Sequence, residues 1–261
     1  MFKIEEFLAV LEEYAPLKIS YKAIEKGDYD NSGIIVKHHD FVEKALFSLD
    51  LTEDAVEKAV NDKCDTIVTH HPAIYAPIKE LSVDGDTRAV LKAAASGINV
   101  ISMHLNLDIA KNGIDAALSK GLGVKDARIL DVILDGNGYG REGSVAPIEF
   151  EKFIENIKDE FNSDKLLGYG SSTVERVASF CGGGASHAEE QVKRGLTDAD
   201  TIVTSDMPHH ILLSLVSSGK KVVIIPHYVS EEYGFNKFHG CVCQKLNGQV
   251  QTCYFTDKRF M

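Results

Sequence analysis

Histidines and carboxylates gather in three short clusters along this 261-residue chain: His70-His71, His104 with Asp108, and His227 with Glu231. Imidazole and carboxylate suit zinc, iron or manganese, whereas copper(I) would ask for thiolates. Six such donors exceed what one ion needs, so the set points to two divalent ions per chain. Asp108 or Glu231 could bridge ions held about 3.5–4 Å apart, which would lower the pKa of water and present hydroxide at neutral pH. Hydrolysis is the chemistry such a site favours.

Local spacing decides how each cluster could work. Adjacent side chains on a straight strand point to opposite faces, so His70 and His71 can share a site only in a turn, where they splay toward two ions. Pro72 fixes its own φ and restricts His71, which pre-sets that turn. Asp108 follows His104 by four residues and is either a ligand or a helix-capping acid. A helix beginning after Pro226 would stack His227 and Glu231 one turn apart on one face, with Glu232 on the flank.

The elements that must position these residues alternate between strands and helices. Each cluster follows a run that reads as a buried strand: Asp65 to Thr69, Ile98 to Ser102, and Val222 to Ile225. Ala45 to Leu49 reads as another strand, and Thr52 caps a helix running to about Asp62. Helices are also expected from about Thr87 to Ala95, from near Asn112, and from about Ile148 to Phe161. Asp65-Thr66-Ile67-Val68-Thr69 is repeated as Asp200-Thr201-Ile202-Val203-Thr204, and Ser96-Gly97 with its strand is echoed by Ser218-Gly219. The fold class is therefore α/β: two pseudo-repeated halves with mainly parallel sheets, and the metal site between them at the carboxyl ends of the strands. The halves divide at the glycine-rich Asp135 to Gly140, giving residues 1–134 and 135–261, and a hairpin spans that turn. Val250 to Phe255 is a final strand.

Composition limits the function classes. A net charge of −11 disfavours nonspecific attraction to nucleic acid or anionic lipid. Apolar runs are too short to span a bilayer. The N-terminal stretch from Met1 carries acids where a signal peptide needs bases, and reads as an amphipathic helix with Phe7, Leu8 and Leu11 inward. A cytoplasmic location is expected. Five cysteines without paired spacing, at 64, 181, 241, 243 and 253, fit buried thiols rather than a disulfide framework.

Taken together, Asp30-Asn31-Ser32-Gly33, Leu49-Asp50-Leu51-Thr52, Thr69-His70-His71-Pro72, His104 with Asp108, and His227 with Glu231 resemble the NIF-three-like proteins, also labelled GTP cyclohydrolase 1 type 2 homologs. The resemblance covers nearly the whole chain, and Cys181-Gly182-Gly183-Gly184 resembles the family's turn after the first strand of the second half. It implies dinuclear ligands at His70, His71, His104, Asp108, His227 and Glu231, and a toroidal homohexamer. The chain departs from the pattern at Pro226, where glycine is common, and at Thr204-Ser205-Asp206. The span between Asp131 and Phe161 leaves no room for an inserted domain, which implies the compact form.

The leading expectation is a metal-dependent hydrolase acting on a small molecule, with GTP as the substrate the resemblance implies. Water would open the guanine ring at C8, releasing formate and leading to dihydroneopterin triphosphate. Glu231, or Glu232 beside it, would move protons. A metal-dependent phosphoesterase and a non-catalytic metal-binding scaffold are the alternatives. The glycine run is either a phosphate-binding turn or a tight strand-to-helix connection. Met207-Pro208-His209-His210 is expected to support the site, and His38-His39 and His239 to face solvent or pack locally.

Overall fold

The computed structural model describes residues 2–85 and 87–261; Met1, where the N-terminal helix reading begins, and Asp86 lie outside the described residues. In chain order the first elements are β1 (Phe2–Lys3), α1 (Ile4–Glu12), α2 (Leu17–Glu25), β2 (Gly33–Val36), β3 (Phe41–Val42) and β4 (Lys44–Ser48). Next come α3 (Glu53–Asn61), β5 (Thr66–Thr69), α4 (Arg88–Ala95), β6 (Asn99–Ser102), α5 (Leu105–Ile109) and α6 (Ile114–Gly121). The chain continues through β7 (Lys125–Leu134), β8 (Asn137–Glu149), α7 (Phe150–Phe161), β9 (Leu167–Tyr169), β10 (Thr173–Ser179) and α8 (Ala185–Lys193). It ends with β11 (Thr201–Thr204), α9 (His209–Ser217), β12 (Lys221–Ile224), α10 (His227–Leu246) and β13 (Gln251–Phe255).

Two compact units result. Unit 1 is Met1–Leu107 with Phe235–Asp257, and unit 2 is Asp108–Gly234 with Lys258–Met261. The divide expected after Leu134 falls inside unit 2, because β7 and β8 pair as one hairpin across Asp135 and Gly136. Both turn residues have positive φ, 40° and 77°, the backbone that a two-residue Asp-Gly hairpin turn requires. The C-terminal strand β13 returns to unit 1, where it lies parallel to β4.

Unit 1 is built on a five-stranded sheet in the order β13-β4-β5-β6-β2, parallel except for β2. Alternation along β4 sends Leu46 to one face and Phe47 to the other. Leu46 joins Ile67 and Val100 beneath α3 and α4, packing on Val56, Ala59 and Ala93. Phe47 meets Phe235 and Phe238, from the second part of α10, with ring centroids 6.2 Å away in each case. Helix α3 starts where Thr52 Oγ1 accepts from the N–H of Ala55, a cap that stabilises a helix by about 1 kcal/mol. Helix α1 turns Ile4, Phe7 and Leu11 inward, with Leu8 half-buried.

Unit 2 holds a six-stranded sheet in the order β7-β8-β10-β11-β12-β9. Its centre, β10-β11-β12, is parallel, and antiparallel strands extend it on both sides. Ala178, Ile202 and Val222 form one core face with α8 and α9. The parallel centres of the two sheets, β4-β5-β6 and β10-β11-β12, follow one connection pattern, as the sequence repeat implied.

The repeated Asp-Thr has a structural task that is the same in both copies. Asp65 Oδ2 accepts from the backbone N–H groups of Glu43 and Lys44, and its Oδ1 from the Thr66 hydroxyl. Asp200 Oδ2 accepts from the N–H groups of Glu175 and Arg176, and its Oδ1 from the Thr201 hydroxyl. Each carboxylate thus fastens the start of its own strand to the neighbouring one.

No helix among the described residues is long and apolar enough to cross a membrane. All five cysteines are free thiols.

Candidate metal centre

In unit 1 the strand ends deliver three imidazoles to one place. Strand β5 stops at Thr69, and the N–H groups of both His70 and His71 donate to the Leu49 carbonyl at 3.0 Å. That shared acceptor breaks the alternation of a straight strand and lets adjacent side chains serve one locality. The His70 and His71 rings lie 4.9 Å apart, and the His104 ring lies 5.2 and 5.8 Å from them. These three histidines offer ligand atoms within 4.8 Å of one another.

Each ring is held from behind through Nδ1. His70 Nδ1 donates to the Met103 carbonyl at 2.8 Å. His71 Nδ1 donates to Asp50 Oδ1 at 2.6 Å, and His104 Nδ1 to Asp30 Oδ1 at 2.7 Å. Because a carbonyl and a carboxylate only accept, the proton sits on Nδ1 and the lone pair of the neutral ring is on Nε2. Asp30 is itself fixed by the hydroxyls of Ser20 and Ser32, and Ser32 Oγ also accepts from the His104 N–H. Burial pushes the Asp30 carboxyl up, but the bonds from His104, Ser20 and Ser32 outweigh it and hold the group below the ordinary aspartate value.

Unit 2 carries a donor group of its own. His227 opens α10, and one turn later Glu231 is almost fully buried with Oε1 3.1 Å from His227 Nε2. His227 Nδ1 donates to Asp206 Oδ2 at 2.5 Å, the same arrangement as for His71 and His104. Asp108, buried on α5, offers a carboxylate oxygen within 4.8 Å of one from Glu231. The Cys181 thiol donates to Asp108 Oδ1 at 3.4 Å. Burial, reinforced by Asp108, Asp115 and Glu231, raises that thiol well above its ordinary pKa, so it stays protonated and donates. Beneath it, Asp115 accepts from the Cys181 N–H and from Arg141 Nη1 in a buried ion pair.

The turn after β10 explains its glycines. Gly182 has φ +56°, and a Cβ built there would overlap Glu231 Oε1 and come within 3.3 Å of His227 Nε2. Its N–H is used by Ser230 Oγ at 3.1 Å. The residue is small because the donors stand where its side chain would be.

The donors of each unit are of the kind that suits zinc, iron or manganese: three imidazoles presenting Nε2 in unit 1, and in unit 2 the His227 imidazole with the Glu231 and Asp108 carboxylates. A family description, Duf34/NIF3 (NGG1p interacting factor 3), matches residues 2–259. The chain belongs to the Duf34/NIF3 family.

Its similarity to known members runs along the full length. It is 27% identical over 235 residues to a Lactococcus lactis protein named GTP cyclohydrolase 1 type 2 homolog, covering 88% of each chain. It is 24% identical over 255 residues to NIF3-like protein 1 of Drosophila melanogaster, covering 94% of this chain and 83% of that one. Among solved structures, reduced HcgD from Methanocaldococcus jannaschii superposes with a TM-score of 0.79 at 26% identity, covering 98% of both chains. A hypothetical protein of Staphylococcus aureus superposes with a TM-score of 0.84 at 23% identity, covering 98% of this chain and 97% of that one, and shares the fold.

In this Duf34/NIF3 chain the other histidines divide as their surroundings dictate. His239 packs between Phe47 and Tyr254 and bonds Thr252 and Cys243, and burial lowers its pKa. His38 and His39 lie at the surface, with their N–H groups on Asn99 Oδ1. His209 and His210 are exposed on the first turn of α9. Sequence reasoning left Asp50 and Asp206 without a role, and Asp30-Asn31-Ser32-Gly33, read as either reaching the site or a polar turn, supplies the acceptor for His104. Asp50 and Asp206 each stand two residues beyond a central strand, after Ser48 and Thr204, and that shared offset was the signal available.

Proposed function

We propose that this chain is a dinuclear metal-dependent hydrolase that opens the guanine ring of GTP. His70, His71, His104, Asp108, His227 and Glu231 would be the ligands of two divalent ions. The observation that carries this reading is the shared orientation of four imidazoles, each with Nδ1 engaged behind it. The name of the Lactococcus lactis relative supports the choice of GTP. Bound divalent ions supply acidified water and polarisation of the ring carbon under attack.

The chain's own residues do the rest. Asp50, Asp30 and Asp206 hold His71, His104 and His227 in the tautomer that presents Nε2, and such partners change metal affinity or activity by roughly 10–100-fold. Gly182 keeps the space beside Glu231 clear. The Glu231 carboxylate would accept a proton as water adds to C8 and return it to the ring nitrogen whose bond to C8 breaks, leaving a formamide on the other nitrogen. A second water hydrolyses that formamide to release formate, and rearrangement of the ribose with ring closure and loss of water gives dihydroneopterin triphosphate. The same reading expects a homohexamer, which sedimentation of the purified chain tests.

The deciding experiment follows formate released from GTP by metal-reconstituted protein, with His71→Ala in parallel. Formate from wild type alone is the expected result. Phosphate or pyrophosphate without formate points to a phosphoesterase. Full metal content with no turnover leaves the scaffold reading.

A further inference from the structure

Two exposed tyrosines stand together beside the unit 1 histidines. Tyr75 is 52% and Tyr29 47% exposed, yet their rings meet at 5.0 Å with an interplanar angle of 63°. The Tyr75 ring also lies 6.1 Å from the His104 ring, nearly perpendicular to it at 86°. Both tyrosines are tied to residues that orient the donors. Tyr29 precedes Asp30, the acceptor for His104, and Tyr75 follows the His70-His71-Pro72 turn by three residues.

The two loops are also joined to each other, since Asn31 Nδ2 donates to the Ile74 carbonyl at 2.6 Å. The aromatic pair is therefore held in place without being buried. Large aromatic surfaces left in water at a fixed position favour a partner with a flat apolar face. Of the neighbouring polar side chains, Asp30 and Ser32 are engaged with His104 and Asn31 with the Ile74 carbonyl, so the exposed tyrosine rings are what this rim offers a ligand.

We infer that Tyr75, supported by Tyr29, is a stacking platform for a planar heteroaromatic ring, placing a purine-type base beside His104. The inference rests on the hydrolase reading for the identity of the base, but the platform is a binding property that can be measured without turnover. Stacking of a base on an aromatic side chain is removed by alanine and largely kept by phenylalanine, and its loss weakens binding by roughly 5- to 150-fold.

The test uses full-length, metal-reconstituted protein and measures dissociation constants by calorimetry for three probes: GTP, guanosine and inorganic tripolyphosphate. Tyr75→Ala is expected to weaken guanosine and GTP by about tenfold or more, with tripolyphosphate unchanged. Tyr75→Phe should bind all three as wild type does. Metal content should equal wild type in both variants, since neither residue is a donor, and equal content also reports intact folding. Guanosine binding unaltered in Tyr75→Ala overturns the platform, as does a wild type that binds no guanosine. An altered oligomeric state with unaltered guanosine affinity assigns the tyrosines to a subunit contact instead, and overturns it too. Guanosine binding that depends on Tyr75 without formate from GTP keeps the platform and removes the ring-opening reading.

Discussion

Gly182 and Glu231 occupy space that two ordinary side chains could not share: a Cβ on Gly182 would overlap Glu231 Oε1. The contact links a turn whose backbone is at φ +56° to a carboxylate almost fully buried on α10. Gly182→Ala should therefore displace Glu231 and lower metal content below wild type. The strained φ adds about 1–2 kcal/mol of destabilisation. Elemental analysis after reconstitution, with thermal melting alongside, checks both. Unchanged metal content would mean that Glu231 is not a ligand.

The carboxylate behind His71 separates orientation from ligation. Asp50→Asn keeps the size of the side chain but gives the ring a weaker and reversible partner. It should reduce metal affinity by roughly 10–100-fold while leaving a measurable site. His71→Ala should lower metal content further, with the fold retained. Competition with a chelator of known affinity orders the three proteins.

Asp200 makes stability depend on acid. Burial raises its pKa, but bonds from Thr201, Lys221 and the N–H groups of Glu175 and Arg176 outweigh this, so the folded value lies below the ordinary 3.8. A lowered folded pKa means that the contribution is present above 3.8 and lost as pH falls through the folded value. Asp200→Asn should cost roughly 1–3 kcal/mol at pH 7. The gap between variant and wild-type melting temperatures should narrow as pH drops from 6 toward 3, which calorimetry across that range reads directly.

Arg141 and Asp115 form a buried pair in which only one partner is certain to be charged. Burial pushes Asp115 up to about 7 despite the pull of Arg141. Arg141→Met removes that pull and raises the folded pKa further. The variant should lose about 3–5 kcal/mol where Asp115 would ionise, above pH 7, and less at pH 5, where the carboxyl holds a proton. Denaturant unfolding at pH 5 and pH 8 tests the asymmetry.

The fold was legible where periodicity and repetition carried it. The Asp65–Thr69 and Asp200–Thr204 runs became β5 and β11, and the Asp-Gly turn at 135–136 became a hairpin. The unit boundary was not legible, because it depends on which sheet the last strand joins, and nothing local in Gln251–Phe255 reveals that β13 lies beside β4. At the site, spacing singled out the histidines and acids that could bind metal. The pairing of Asp30 with His104 and of Asp115 with Arg141 stayed obscure because the partners lie 74 and 26 residues apart. Sequence offers no local signal for a hydrogen bond over that distance.

The twin carboxylates Asp65 and Asp200 sit at the starts of β5 and β11, whereas His70-His71 and Asp206 follow their ends. Each strand thus has an anchored end and a working end. Turns beyond Thr69 and Thr204 can be rewritten while the aspartate fastening at the other end is untouched. In one copy that freedom has produced a pair of histidines, and in the other a serine and an acid. The residues just past each strand can therefore differ between the two copies without loosening the frame that the aspartates hold.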